Sequence, residues 1–205
     1  MLDAYPTGAN VYATIPSTTG SAKQIVVGAH FDTVMGSPGA NDNATGCAVV
    51  LAAARRFVDI PVRDPDVIVV LFDEEETGLF GSRAFAESLT GMDVIAVHSI
   101  DQVGWDSDGD RRFELELPTP ALARDYKVAA AQLGVPVTVT STSGTDHQSF
   151  RELAMPAVGL TEEYVEGDTT PYRHTPSDVP STVDFDYTAT AARLVNRVLE
   201  AEVVP

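Results

Sequence analysis

Apolar residues arrive along this chain in short unbroken blocks separated by polar turns. Residues 67–72 (VIVVLF) are β-branched, aliphatic or aromatic throughout, the pattern of a strand buried on both faces. Residues 24–29 and 93–100 read the same way, and residues 156–160 form a shorter buried strand. Residues 10–16 and 135–140 read as further strands. Residues 113–117 (FELEL) alternate apolar with acidic and predict an exposed edge strand. Between these blocks the period changes to that of a helix at residues 44–58, 79–89, 120–133, 147–153 and 184–203, with Asn43 as the N-cap of the first. Strands alternating with helices predict an α/β fold, a three-layer α/β/α sandwich around a mixed, mostly parallel sheet, in one domain over residues 1–205.

Charge changes this picture at one edge. The block 67–72 runs straight into Asp73, Glu74, Glu75 and Glu76. Four acids where a buried strand ends are costly unless a cation neutralises them. Open α/β sheets place their ligands at such carboxyl ends. The other buried strands deliver similar chemistry there: His30 and Asp32 after residues 24–29, and Asp101 after residues 93–100. Asp42 closes a Gly/Pro/Asn/Asp loop just before a helix, and His174 lies in the long loop after the last strand. Imidazoles and carboxylates together suit zinc or a similar divalent ion, and their number exceeds one tetrahedral shell.

The global charge excludes other classes. Against 30 acids the chain has 13 Lys plus Arg, a formal net charge of −17, which argues against a nucleic-acid partner or a polybasic membrane contact. No apolar run is long enough to span a bilayer. The first ten residues carry no basic or apolar segment of a secretory signal, and a strand so near residue 1 leads us to expect a missing upstream segment. Cys47, the only cysteine, rules out an internal disulfide and reads as a small core residue. Asp106 to Asp110 (DSDGD) resembles the start of a calcium loop, but its twelfth position is Leu117 rather than glutamate, so it reads as a polar turn. His98 and Trp105 read as packing residues.

The segments GAHFDTV, GANDNATG, DEEETGLFGS, SIDQVG, GTDHQSF and YRHTPSD occur in an order that resembles the co-catalytic dizinc exopeptidases, the family of bacterial leucyl aminopeptidases, glutamate carboxypeptidases and transferrin-receptor-like domains. The resemblance runs from about Asn10 to the C-terminus. It implies two zinc ions, or other divalent ions, with His30 and Asp101 on one, Glu76 and His174 on the other, and Asp42 bridging. Glu75 matches the general base that takes a proton from a zinc-bridged water; Asp32 matches the acid that fixes the His30 tautomer, and Asp178 is expected to act likewise on His174. Where such aminopeptidases carry a tyrosine for the oxyanion this chain has Arg173, with Tyr172 one residue earlier, and Asp146 with His147 matches a pocket-lining turn. The usual helical segment before the first strand is absent.

The implied function is removal of the N-terminal residue of a peptide, and the family suggests a secreted or periplasmic setting. Carboxypeptidase or dipeptidase action at the same site, a glutaminyl cyclase, and a non-catalytic receptor-like domain stay open as alternatives. Carboxylate recognition would need basic residues, for which Arg83, Arg151 and Arg173 are the candidates. A receptor-like relative would be expected to lose ligands that are all present here.

Overall fold

The computed structural model describes residues 1–204. In chain order its elements are β1 (Leu2–Ala4), β2 (Ala9–Ile15), β3 (Lys23–His30), α1 (Ala44–Val58), β4 (Asp66–Phe72), α2 (Phe80–Ser88), β5 (Asp93–Ile100), β6 (Phe113–Glu116), α3 (Pro120–Leu133), β7 (Val137–Thr140), α4 (His147–Glu152), β8 (Ala157–Thr161) and α5 (Phe185–Val203). A short 3₁₀ turn, Pro180–Thr182, precedes α5. The strands form one sheet in the order β1-β2-β4-β3-β5-β8-β6-β7. Its centre, β4-β3-β5-β8, is parallel, and antiparallel pairs occur at β1/β2, β2/β4 and β6/β8. The expected α/β/α sandwich is therefore what the chain forms.

Both faces of the central strands are covered, which is why they read as continuous apolar runs. Ile25, Val27 and Ala29 of β3 pack with Val67 and Val69 under α1, α3 and α5. The alternate residues Val26, Ile68, Val70 and Phe72 face α2 and α4, where Phe85 and Phe150 close the second core. Gly28 is required by this packing, since a Cβ there would lie 2.7 Å from Phe72 Cζ and 2.9 Å from Val70 Cγ1. Helix α1 starts at its predicted N-cap, where the Asn43 side chain accepts from the Gly46 amide.

Two departures from the expected pattern matter. Residues 2–4 add a strand, β1, paired with β2. Strand β6 is no exposed edge: it lies between β8 and β7, and Glu114 and Glu116 are buried. Its alternating pattern misled because both acids have internal work. Glu114 accepts the amides of Val165 and Glu166, and Glu116 turns toward the site described below.

Helix α1 carries the chain from β3 to β4 across one face, and α2 returns it past β3 to β5 across the other. The sequence order thus reverses about β3, and the crevice at the carboxyl end of such a switch point is where α/β sheets bind ligands. The register aligns the strand ends there: His30 pairs with Phe72, and Ile100 with Leu160. Among the described residues no helix is long and apolar enough to cross a membrane.

Candidate metal centre

Each strand end delivers one polar group to the switch point. His30 is the last residue of β3 and is 1% exposed; Asp101 follows β5, and its Oδ1 lies 3.2 Å from His30 Nε2. Behind the ring, the Asp32 main-chain carbonyl lies 3.1 Å from His30 Nδ1, while the Asp32 carboxylate stands at 3.5 Å. The expected backing of His30 is thus made mainly by the carbonyl. The carboxylate has a second role: its two oxygens accept the backbone N–H groups of Glu75 and Glu76, each at 3.1 Å. That pins the turn after β4 against the end of β3.

Asp42 is held from a different side. Both oxygens of fully buried Asp178 accept backbone amides of this loop, Asn41 N at 2.8 Å and Asp42 N at 3.1 Å. Asp178 therefore anchors Asp42; its carboxylate is committed to that loop rather than to His174, contrary to expectation. The Asn41 side chain donates to Glu162 Oε2, and Glu162 also accepts from Gly104 N, Thr169 Oγ1 and Thr170 N. Asn43 donates to the Ile100 carbonyl and accepts from Gln102 N, which ties the loop to the end of β5.

The five predicted ligand groups come together in two sets joined by Asp42. Asp42 Oδ1 lies 3.3 Å from His30 Nε2, and its Oδ2 lies 3.1 Å from His174 Nε2. His174 Nε2 is in turn 2.9 Å from Glu76 Oε2. Atoms bound tetrahedrally to zinc at about 2.0–2.1 Å stand roughly 3.3 Å from one another. The histidine-to-carboxylate spacings of 2.9–3.3 Å match that separation. Ligand atoms of His30, Asp42 and Glu76 all fall within 4.8 Å of each other. Glu76 Oε1 is buried without a hydrogen-bond partner, an acceptor a cation would satisfy. Mixed imidazole and carboxylate donors fit zinc.

The electrostatics point the same way. Burial, with Asp101 next in weight, pushes Glu75 up to about 9, and burial with Asp42 pushes Glu76 up to about 7. Burial raises Asp146 to about 7 and, with Asp101, Glu116 to about 8. Burial opposes charge on His30, yet Asp101, Asp32 and Asp42 together hold its pKa well above the ordinary value. The site therefore carries more acid than its own cations balance, and a divalent ion entering it would release protons.

The remaining predicted residues separate. Arg173 Nε donates to Asp42 Oδ2 at 3.2 Å, and its guanidinium lies 5.6 Å from the Tyr164 ring centroid. Tyr172 instead packs edge-on against Trp105, so Arg173 is the neighbour of the ligand cluster. Asp146 is buried with Oδ1 unpartnered. His147 is fully buried beside Thr145 and Glu116, where burial lowers its pKa to about 4. His98 is packed between Tyr126 and Glu202, as expected. The residues 106–110 form a turn fastened by Asp168, which accepts from Trp105 Nε1, Ser107 and Asp108. Sequence reasoning missed Glu116, Gln102 and Glu162. Acids adjoining apolar strand residues were the available signal, and alternation alone assigned Glu116 to solvent.

The profile of peptidase family M28 matches residues 10–199. Aminopeptidase YwaD of Bacillus subtilis is 29% identical over 168 residues, covering 75% of this chain and 35% of that protein. A solved zinc aminopeptidase from Bacillus subtilis superposes with TM-score 0.89 at 24% identity, covering 96% of this chain and 50% of that one. An aminopeptidase from Aneurinibacillus sp. strain AM-1 gives TM-score 0.87 at 26% identity over 97% of this chain and 48% of that one. The chain spans about half the length of these solved chains and about a third of YwaD.

Proposed function

The chain belongs to peptidase family M28, and from that premise we propose that it is the catalytic domain of a dizinc aminopeptidase that releases N-terminal residues from peptides. The observation that carries the reading is the division of Asp42: each oxygen faces a different histidine, and each histidine has its own carboxylate, Asp101 or Glu76. On this reading His30 and Asp101 would hold one ion and His174 and Glu76 the other, with Asp42 available to both. Bound zinc would supply Lewis-acid polarisation of the scissile carbonyl and acidification of a water molecule at neutral pH.

The chain's own residues do the rest. Glu75 stands outside the two ligand sets, its main chain fixed by Asp32. Its carboxylate takes a proton from the attacking water and passes it to the departing amine nitrogen, so it ends the cycle as it began. Burial raises its proton affinity in the metal-free site, and the positive charge of bound zinc would lower it toward the range in which a base works at neutral pH. Arg173 offers guanidinium N–H groups beside Asp42 for the negative charge that develops on the carbonyl oxygen. Tyr172, turned toward Trp105, is not assigned that role. Carboxypeptidase action is less well supported, because Arg173 is the one Arg or Lys lining the cavity beside Asp101 and it is already paired with Asp42.

The test is a panel of dipeptides with free and acetylated amines, incubated with the zinc-loaded chain. Cleavage of the free amines alone is expected. Equal turnover of acetylated peptides would reject the aminopeptidase reading.

A further inference from the structure

Beside Asp101 and Arg173 lies a cavity of about 100 Å³. Its position next to the ligand cluster makes it the seat of the substrate's first side chain, if the aminopeptidase reading above holds. Among the described residues no Leu, Ile, Val, Met or Phe lines it; its walls include the hydroxyl residues Thr142, Thr145 and Thr161 together with Tyr164. Glu116 and Gln102 also line this space. Glu116 is 2% exposed, and its Oε2 accepts from Thr145 Oγ1 at 3.0 Å while no hydrogen bond engages Oε1. Gln102 is 4% exposed, and its side-chain oxygen is buried with no partner.

The surroundings hold both in place. A Cβ on Gly159 of β8 would lie 2.7 Å from Glu116 Oε2 and 2.8 Å from His147 Nδ1, so a glycine is needed for the acid to lie where it does. Gln102 has φ 34°, the left-handed region that side chains other than glycine rarely occupy. It is locked there because its N–H donates to Asn43 Oδ1 and its carbonyl accepts from Glu162 N. A strained backbone fixed from both sides next to a reactive centre is characteristic of a residue with a positioning duty.

A buried acceptor without a donor is costly, and a pocket lined by one discriminates against a group that leaves it unpaired. We propose that this cavity selects an N-terminal residue whose side chain ends in N–H donors, an amide or an ammonium, bound by Glu116 and Gln102, rather than an aliphatic one. An aliphatic one would bury against hydroxyls, the Glu116 carboxyl and the unpartnered Gln102 oxygen.

The inference rests on the aminopeptidase reading, and one experiment separates the two. The zinc-loaded chain is assayed on aminoacyl coumarylamides of norleucine, glutamine and lysine, unbranched side chains ending in methyl, amide and ammonium. Glutamine or lysine should exceed norleucine by about tenfold or more in kcat/KM, mainly through KM. The better of the two identifies the donor. Glu116→Leu should reverse the order toward norleucine, and Glu116→Gln, which conserves shape, should spare glutamine while weakening lysine. Norleucine equal to or better than both in the wild type, or an order unmoved by either substitution, overturns the inference and leaves the aminopeptidase reading standing. Cleavage of none of the three removes both.

Discussion

Replacing Asp32 by Asn probes the joint that sets the whole ligand cluster. Each oxygen of this carboxylate accepts one backbone amide, Glu75 N and Glu76 N, both at 3.1 Å. Asparagine keeps one acceptor and presents an NH₂ group to the other amide, so one hydrogen bond is lost and one N–H is left without an acceptor. That costs about 1–3 kcal/mol. The main-chain carbonyl that faces His30 Nδ1 is untouched, so the damage falls mainly on the Glu75–Glu76 turn, with a smaller share on His30, whose Nδ1 stands 3.5 Å from the carboxylate. Loss of such outer support typically lowers metal affinity or activity by about 10–100-fold.

The pH dependence follows from the same contacts. Against the upward push of burial, hydrogen bonds to His30 and to the Glu75 and Glu76 amides hold Asp32 below its ordinary value of 3.8. A depressed folded-state pKa contributes stability above the unfolded value and loses it as pH falls through the folded value. The wild-type advantage should therefore be full at neutral pH and vanish in acid below 3.8. Urea denaturation of the zinc-free proteins and zinc titration against a competing chromophoric chelator measure both effects. A variant within about 0.5 kcal/mol of wild type, with unchanged zinc affinity, would refute the assigned role.

Glu75→Gln should keep its zinc content while kcat falls by about 10²–10⁴-fold; metal analysis beside turnover checks this, and undiminished turnover removes Glu75 as base. The zinc-free protein should lose stability as pH rises from about 5 to about 9. Over that range Glu76 and Asp146 at about 7, Glu116 at about 8 and Glu75 at about 9 hold protons that the unfolded chain has released. Zinc should flatten the slope, and a rising stability in its absence would contradict the electrostatic account. Gly28→Ala drives a methyl group into Phe72 and Val70 and should cost about 1–3 kcal/mol in urea denaturation; a neutral result would mean the second core is looser than described.

Much of the fold was legible because burial on both faces leaves an unambiguous trace. Strands β3, β4 and β5 carry apolar residues at successive positions, and both of their faces are covered. Helix α1 begins at the residue whose side chain caps it. The pattern failed where polar residues are buried for a reason. In β6 the alternation of Phe113, Glu114, Leu115 and Glu116 looks like one wet face, yet Glu114 accepts loop amides and Glu116 floors a cavity. Periodicity records polarity, not the partner that satisfies it. Of the proposed ligands, His30, Glu76 and Asp101 stand out through their positions after buried strands, while Asp42 and His174 lie in loops and were singled out by the family resemblance. The second role of Asp32 and the grip of Asp178 on the Asn41–Asp42 amides were not legible, because both depend on backbone donors that carry no residue-type signal.

Anomalous diffraction at the zinc edge, from crystals of this chain grown with zinc, tests the central claim most directly. Two peaks are expected. One should lie about 2.0–2.2 Å from donor atoms of His30, Asp101 and Asp42, the other at the same range from Glu76, His174 and Asp42. A single peak, or peaks confined to the acidic turn around Asp106 and Asp108 with none at Asp42, would contradict the account.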